Sequence, residues 1–225
     1  MFFFFQINSP LEMYKNISNE NLLVSQVVGT LRNKETEPAE FRFNLQKLGT
    51  YLAYEAAKYF DHVKEKVETP LGVAEVRKIR DNIVVVAILR AALPMAEGVI
   101  NQFSRASMGV VSASRGKMLR EGGKEFRIDV PYINIPYLDE SNVAIIVDPM
   151  LASGSTMLFI LDHLYQQKPK KIVVLSAIAS EYGINRILDK YPETIILTGD
   201  IDKKLNEKGY IVPGLGDAGD RAFNT

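Results

Sequence analysis

VAIIVDPMLASGSTM, residues 143–157, passes through three kinds of local structure in turn. The apolar run at 143–147 lacks polar alternation, the pattern of a strand buried on both faces of a parallel sheet. Asp148 and Pro149 stop the run, and a loop of small residues follows, Ala152-Ser153-Gly154-Ser155-Thr156. From Thr156 the spacing of Leu158, Leu161 and Leu164 becomes helical and faces a core. Strand, small-residue loop and helix N-terminus bring free N–H groups, hydroxyls and the positive end of a helix dipole to one point. In open α/β sheets, ligands lie outside the carboxyl ends of the strands, where this loop falls. Two readings follow from the loop alone: an anion site of the phosphate type, or an ordinary strand-to-helix turn with a threonine cap.

The same grammar extends to both sides. IVVVAIL at 83–89 is a second buried strand, Arg90-Ala91-Ala92-Leu93-Pro94 is its turn, and residues 95–103 form a helix. Residues 108–111 give the next strand, reaching Arg115, and a short strand is expected at 130–135. Beyond the central motif, 171–179 reads as a strand, 180–191 as a helix and 194–197 as a last strand. Strands alternating with helices predict an α/β fold, a mainly parallel twisted sheet flanked by helices with right-handed crossovers. Upstream, Leu22, Leu23, Val27, Val28 and Leu31 recur at helical spacing, as do Phe41, Leu45, Leu48, Leu52 and Ala56 up to Phe60. These helices precede every strong strand, so they either cover one sheet face or form a subunit interface. VETPLGV at 67–73 reads as a small hairpin. With no repeat or low-complexity linker, residues 1–225 read as a single domain. Its parts are an N-terminal arm and helices (1–61), a basic segment that is a mobile loop or a β-arm (115–137), and a C-terminal loop (210–225).

Composition narrows the function classes. Lys+Arg 27 against Asp+Glu 27 gives no global charge bias, so neither nucleic acid nor an acidic membrane is an expected partner. Cysteine is absent, which removes disulfides, thiolate nucleophiles and Cys-bound zinc together and suits a cytoplasmic location. MFFFFQINSP is too short for a membrane span and lacks the basic start of a signal peptide. Phenylalanines 2–5 read as an arm packing on this subunit or a neighbour, or as a disordered terminus.

Charged residues gather at the predicted strand ends. Asp148 stands before the small-residue loop, and Arg90 stands at the mouth of the 83–89 strand, where a guanidinium can fork onto a phosphate. Arg115, Lys117, Arg120 and Arg127 decorate a segment able to close over a polyanion. Singly, Arg90 could pair with a carboxylate, Asp148 could cap a turn and the basic run could be solvated; their common position favours a shared anion. Competing motifs fail. There is no GxxxxGK[ST], Ser153 and Ser155 make no GxSxG, and the histidines, His62 and His163, lie in helical patterns. In the tail, YIVPGLGDAGDRAFNT, residues 214–219 match GxGxxG literally. The chain leaves no room for a following helix, so the dinucleotide reading fails on context. The tail is either a frayed end or a loop whose backbone comes close to a ligand.

VDPMLASGST resembles the 5-phosphoribosyl-1-diphosphate (PRPP) loop of type I phosphoribosyltransferases, in the variant of the uracil phosphoribosyltransferase family. AILRAALPMAEGV, the strand end at Arg115 and above all YIVPGLGDAGDRAFNT are similar to that family too, covering roughly residues 50–225. The resemblance implies transfer of phosphoribosyl from PRPP to uracil, giving UMP. It implies that Arg90 and Arg115 bind the diphosphate and that Asp148 holds the ribose hydroxyls. Ala152, Ser153, Gly154, Ser155 and Thr156 would wrap the 5-phosphate, and Pro149, Met150 and Leu151 just before them would also bind PRPP. Ile211, Gly216, Asp217 and Ala218 would present donors and acceptors to uracil, with Asp217 also facing PRPP and Mg2+. Asp148, Arg90 and Asp217 are the expected catalytic residues. Similar enzymes are oligomers, so a homodimer or homotetramer is expected, and GTP is an effector of some relatives. The chain departs from the pattern at Ala92 and Ser155, where glycine is commoner, changes that bear on PRPP affinity more than on reaction class. A phosphoribosyltransferase for another base, or a non-catalytic nucleotide-binding regulator, is the alternative.

Overall fold

The protein is represented by a computed structural model that describes residues 13–118 and 126–225. The described residues open with strand β1 (Tyr14–Asn16), a 3-10 turn and two helices, α1 (Leu22–Arg32) and α2 (Pro38–Ala56). An antiparallel hairpin follows, β2 (His62–Thr69) and β3 (Gly72–Ile79). Next come β4 (Asn82–Leu89), α3 (Leu93–Ile100), β5 (Ser107–Met118), β6 (Phe126–Asn134) and β7 (Asn142–Val147). The two-residue strand β8 (Met150–Leu151) leads to α4 (Ser155–Tyr165), β9 (Lys171–Ser180), α5 (Glu181–Lys190) and β10 (Ile195–Asp202). A small antiparallel pair, β11 (Lys204–Leu205) and β12 (Ile211–Val212), and a final helix, α6 (Ala218–Phe223), complete it.

Among the described residues the main sheet runs β1-β10-β9-β7-β4-β5-β6, with β8 beside β9. Its pairs are parallel except β5–β6, which is antiparallel. Period-two alternation explains the apolar runs. Val85, Ala87, Val143, Ile145, Val147, Val173 and Leu175 join one core with α1, α2 and α3. Their neighbours Val84, Val86, Ala144, Ile146 and Val174 join a second core with α4 and α5. Each central strand is covered on both sides, so each lost its polar face. The carboxyl ends of β4, β7, β9 and β10 then deliver Arg90, Asp148, Ser180 and Asp202 to the same rim of the sheet.

Several expectations change here. α1 is capped by Asn21, whose side chain accepts from the Leu23 and Val24 N–H groups at 3.0 and 3.4 Å. Its core face is Val24, Val27, Val28 and Leu31, while Leu22 and Leu23 are 81% and 54% exposed, because the first turn lies off the stripe. The hairpin is longer than 67–73 and stands apart from the main sheet. His62 starts its first strand and is not helical, since Phe60 is already extended after the 3-10 turn Ala57–Tyr59. The last strand of the main sheet runs on to Asp202, extended by its register with β9. The expectation that no helix fits after the terminal glycines is wrong: α6 forms, because Asp217 caps it and α2 packs against it. Phenylalanines 2–5 and Arg120 lie outside the described residues. Among the described residues no helix is long and apolar enough to cross a membrane.

Candidate active site

After β7 the chain is bound to its neighbour at each step. The Asp148 N–H donates to the Leu175 carbonyl at 3.1 Å, and the Pro149 carbonyl accepts from Ala177 and Ile178. β8 then pairs with the end of β9. This buries Pro149, Leu151, Ala152 and Ser153 beneath the rim, while Asp148, Met150, Ser155 and Thr156 stay partly open. Gly154 takes a left-handed φ of 75° at the N-cap of α4, with no side-chain cap. First-turn N–H groups of a helix have no partner within it, which suits such a turn to an anion. The Ser153 hydroxyl donates to that of Ser155 at 3.1 Å and accepts from the Ser155 N–H at 3.4 Å.

α5 supports this loop from behind. The Ser180 hydroxyl caps α5 and also donates to the Ala152 carbonyl at 2.6 Å. Gly183 allows the approach: a Cβ there would lie 2.3 Å from the Ala152 carbonyl oxygen. Arg186, one turn further on, donates to the Ser153 carbonyl at 2.5 Å and to the Ser155 hydroxyl at 3.2 Å.

The C-terminal loop is braced from the other side. Val212–Pro213 is a cis peptide, and Gly214 has φ 58°. A side chain at Gly214 would be strained by that φ, and its Cβ would lie 2.3 Å from the Ile211 carbonyl oxygen. The Gly214 N–H donates to Asp202 at 2.9 Å, and its carbonyl accepts from Arg32 at 2.8 Å. Arg32 also forks onto Asp202 at 2.8 and 2.9 Å and reaches Asp200 at 2.8 Å. Burial works against the Arg32 charge, but hydrogen bonds and attraction from Asp202 and Asp200 outweigh it and raise its pKa. Burial likewise opposes ionisation of Asp200, yet hydrogen bonds from Arg32 and Asn16 hold its pKa below the ordinary carboxylate value. Arg221 donates to the Leu215 carbonyl at 2.7 Å and to the Asn33 carbonyl at 2.5 Å, and lies 4.4 Å from the Phe41 ring centroid. Asp217 Oδ1 accepts from the Gly219 and Asp220 N–H groups at 2.9 and 3.0 Å, which starts α6.

The two loops face one cleft of about 360 Å³. Asp148, Met150, Ala152 and Thr156 line it from the central motif, and Ile211, Gly216, Asp217 and Ala218 from the terminal loop. Ile88, Leu89 and Ala91 close it at the end of β4. Arg90 stands beside it after a cis peptide with Leu89, exposed, and turned toward the terminal helix. It donates to the Thr225 hydroxyl at 2.9 Å and lies 3.7 Å from Asp220. Ala92 does not line the cleft; its methyl is fully buried in the core. Arg115 lies on β5, and its side chain is outside the described part of the structure, as is that of Lys117. Arg127 pairs with Asp129 at 3.1 Å on β6. A wider hollow of about 910 Å³ lies at the opposite ends of the strands. Its Lys170 is engaged by Asp61 and Asp81 and its Lys171 by the Tyr59 carbonyl.

Arg32, Asp200, Asp202, Ser180, Gly183, Arg186 and Arg221 were not singled out by sequence. Only Ser180 offered a signal, because it follows the predicted 171–179 strand and the same rule that pointed to Asp148 applies to it; Asp200 and Asp202 fell beyond the strand expected at 194–197. Among the described residues no three acidic or histidine side chains gather into a metal site. Asp148 and Asp217 are oxygen donors lining an open cleft, a donor set that fits a hard divalent cation such as Mg2+.

The family model for uracil phosphoribosyltransferase matches residues 18–225. A uracil phosphoribosyltransferase of Thermococcus sibiricus is 45% identical over 201 residues, covering 88% of this chain and 84% of that protein. One from Metallosphaera sedula is 45% identical over 205 residues, covering 89% and 95%. A solved protein structure from Aquifex aeolicus superposes with a TM-score of 0.81 at 35% identity, covering 89% of this chain and 94% of that one. The strand-end loop, the terminal loop and these likenesses agree, and the chain belongs to the uracil phosphoribosyltransferase family.

Proposed function

We propose that the chain transfers the 5-phosphoribosyl group of PRPP to uracil, giving UMP and diphosphate. The observation that carries this reading is that the small-residue loop and the terminal loop line one cleft from opposite sides. One side offers N–H groups and hydroxyls suited to a phosphate, and the other offers backbone donors and acceptors suited to a flat polar base. Residues 152–156 hold the 5-phosphate, Asp148 the ribose hydroxyls, and Arg90 with Arg115 the diphosphate. Ile211 and residues 216–218 hold uracil.

Uracil N1 forms a bond to C1 of the ribose as the bond from C1 to the diphosphate oxygen breaks, and the N1 proton leaves to solvent or to the departing diphosphate. Charge builds on that leaving group, so a guanidinium aimed at it stabilises the transition state more than the ground state. Asp148 and Asp217 would help to hold a Mg2+ ion, which would supply further neutralisation of the diphosphate. Asp148 also holds the loop, since its carboxylate accepts from the Met150 N–H at 3.2 Å. Uracil N1–H is weakly acidic, and donors facing its carbonyl oxygens spread the developing charge, so no strong general base is required.

Asp148→Asn and Arg90→Ala test the assignment. Each is expected to lower kcat/KM by about a hundredfold or more while the melting temperature moves by about 2 °C or less. Parallel loss of folding and turnover would argue against a role in the reaction.

A further inference from the structure

We infer that Arg186 is a positioning residue for the 5-phosphate, working as a pair with Ser155. The inference rests on residues 152–156 being the 5-phosphate cradle. That loop, ASGST, carries no cation of its own. Its N–H groups provide partial charges only, whereas a phosphate monoester is close to a dianion at neutral pH. Arg186 brings a full charge to the loop from α5, half-buried and 5.7 Å from the Tyr182 ring centroid one turn back.

Its two bonds to the loop do different things. Donation to the Ser153 carbonyl at 2.5 Å ties the loop backbone to α5 and sets the guanidinium charge against it. Donation to the Ser155 hydroxyl at 3.2 Å fixes the residue that starts α4. The Phe126 N–H of β6 meets the same hydroxyl at 3.4 Å, so Ser155 joins the loop, α5 and the β5–β6 arm. Glycine, the commoner residue in the resemblance, has no atom there for Arg186 to hold. The Ser155 hydroxyl and the Arg186 guanidinium thus act as one unit at the start of α4.

Binding of UMP and of uridine separates a phosphate-directed role from general support, because the two differ only in the 5-phosphate. Arg186→Gln keeps a donor but loses the charge; it is expected to weaken UMP binding and raise KM for PRPP by about tenfold, the size of one charge-assisted hydrogen bond. Uridine binding, KM for uracil and the melting temperature should stay near wild type, and Arg186→Lys should recover most of the UMP affinity. Ser155→Gly should weaken UMP binding less in the Arg186→Gln background than alone. Unchanged UMP affinity in Arg186→Gln, or equal weakening of UMP and uridine, overturns the inference while leaving the cradle in place. If the wild-type protein binds UMP no better than uridine, the cradle itself is wrong and the inference falls with it.

Discussion

Asp217 has two duties that substitution can separate. Its Oδ1 caps α6 through the Gly219 and Asp220 N–H groups, and its residue also lines the cleft. Asparagine caps a helix about as well as aspartate, so Asp217→Asn should leave stability within about 0.5 kcal/mol of wild type. Asp217→Ala should cost about 1 kcal/mol, seen as a shift of the urea midpoint. If the carboxylate charge serves PRPP or its metal, Asp217→Asn should still lose turnover; full activity in that variant would reduce Asp217 to a cap. The same separation of duties explains what was legible at this scale. Asp148 and Arg90 could be picked out because each interrupts an apolar strand. Arg186 could not, since nothing in a helical sequence shows that it crosses to a loop formed by a different part of the chain.

At the scale of elements, the terminal loop depends on a brace built from α1 and the end of β10. Arg32, Asp200 and Asp202 hold Gly214 in its left-handed turn. The Asp200 pKa is lower folded than unfolded, so its stabilisation is fully present above the ordinary carboxylate value of 3.8. It is lost as pH falls below that value and through the depressed folded one. Wild type should therefore exceed Asp200→Asn in urea stability at pH 7 by a constant margin that shrinks on acidification toward about pH 3. A margin independent of pH would mean that the pair contributes packing and no charge. Elements were legible where burial left one signal. β4, β7 and β9 are covered on both faces, and their Val- and Ile-rich runs say so. α6 was missed because its short length argued against it, whereas its helix is stabilised by the Asp217 cap and by packing on α2, including Arg42 to the Ala222 carbonyl at 2.7 Å. The hairpin β2–β3 extends further than its turn signal, and the cross-strand ion pairs Lys64–Glu75 and Lys78–Glu65 tie its strands together.

For the whole molecule, the sheet is a frame that carries two recognition loops to one rim. The central motif is anchored on β9, and the terminal loop is anchored on β10, α1 and α2. The fold class could be read from strand and helix alternation, but the meeting of residues 148–156 with 211–218 could not be read from pattern alone. It follows from the order of strands, which sets the ends of β7 and β10 on either side of β9. Both loops act on one reaction, so the base and the sugar phosphate are joined in the cleft. The direct test is to incubate the protein with PRPP, Mg2+ and a panel of uracil, orotate, hypoxanthine and adenine, measuring nucleotide and diphosphate together. UMP and diphosphate in equal amounts, with uracil strongly preferred, is the predicted result; no nucleotide from uracil, or a better yield from another base, would contradict it.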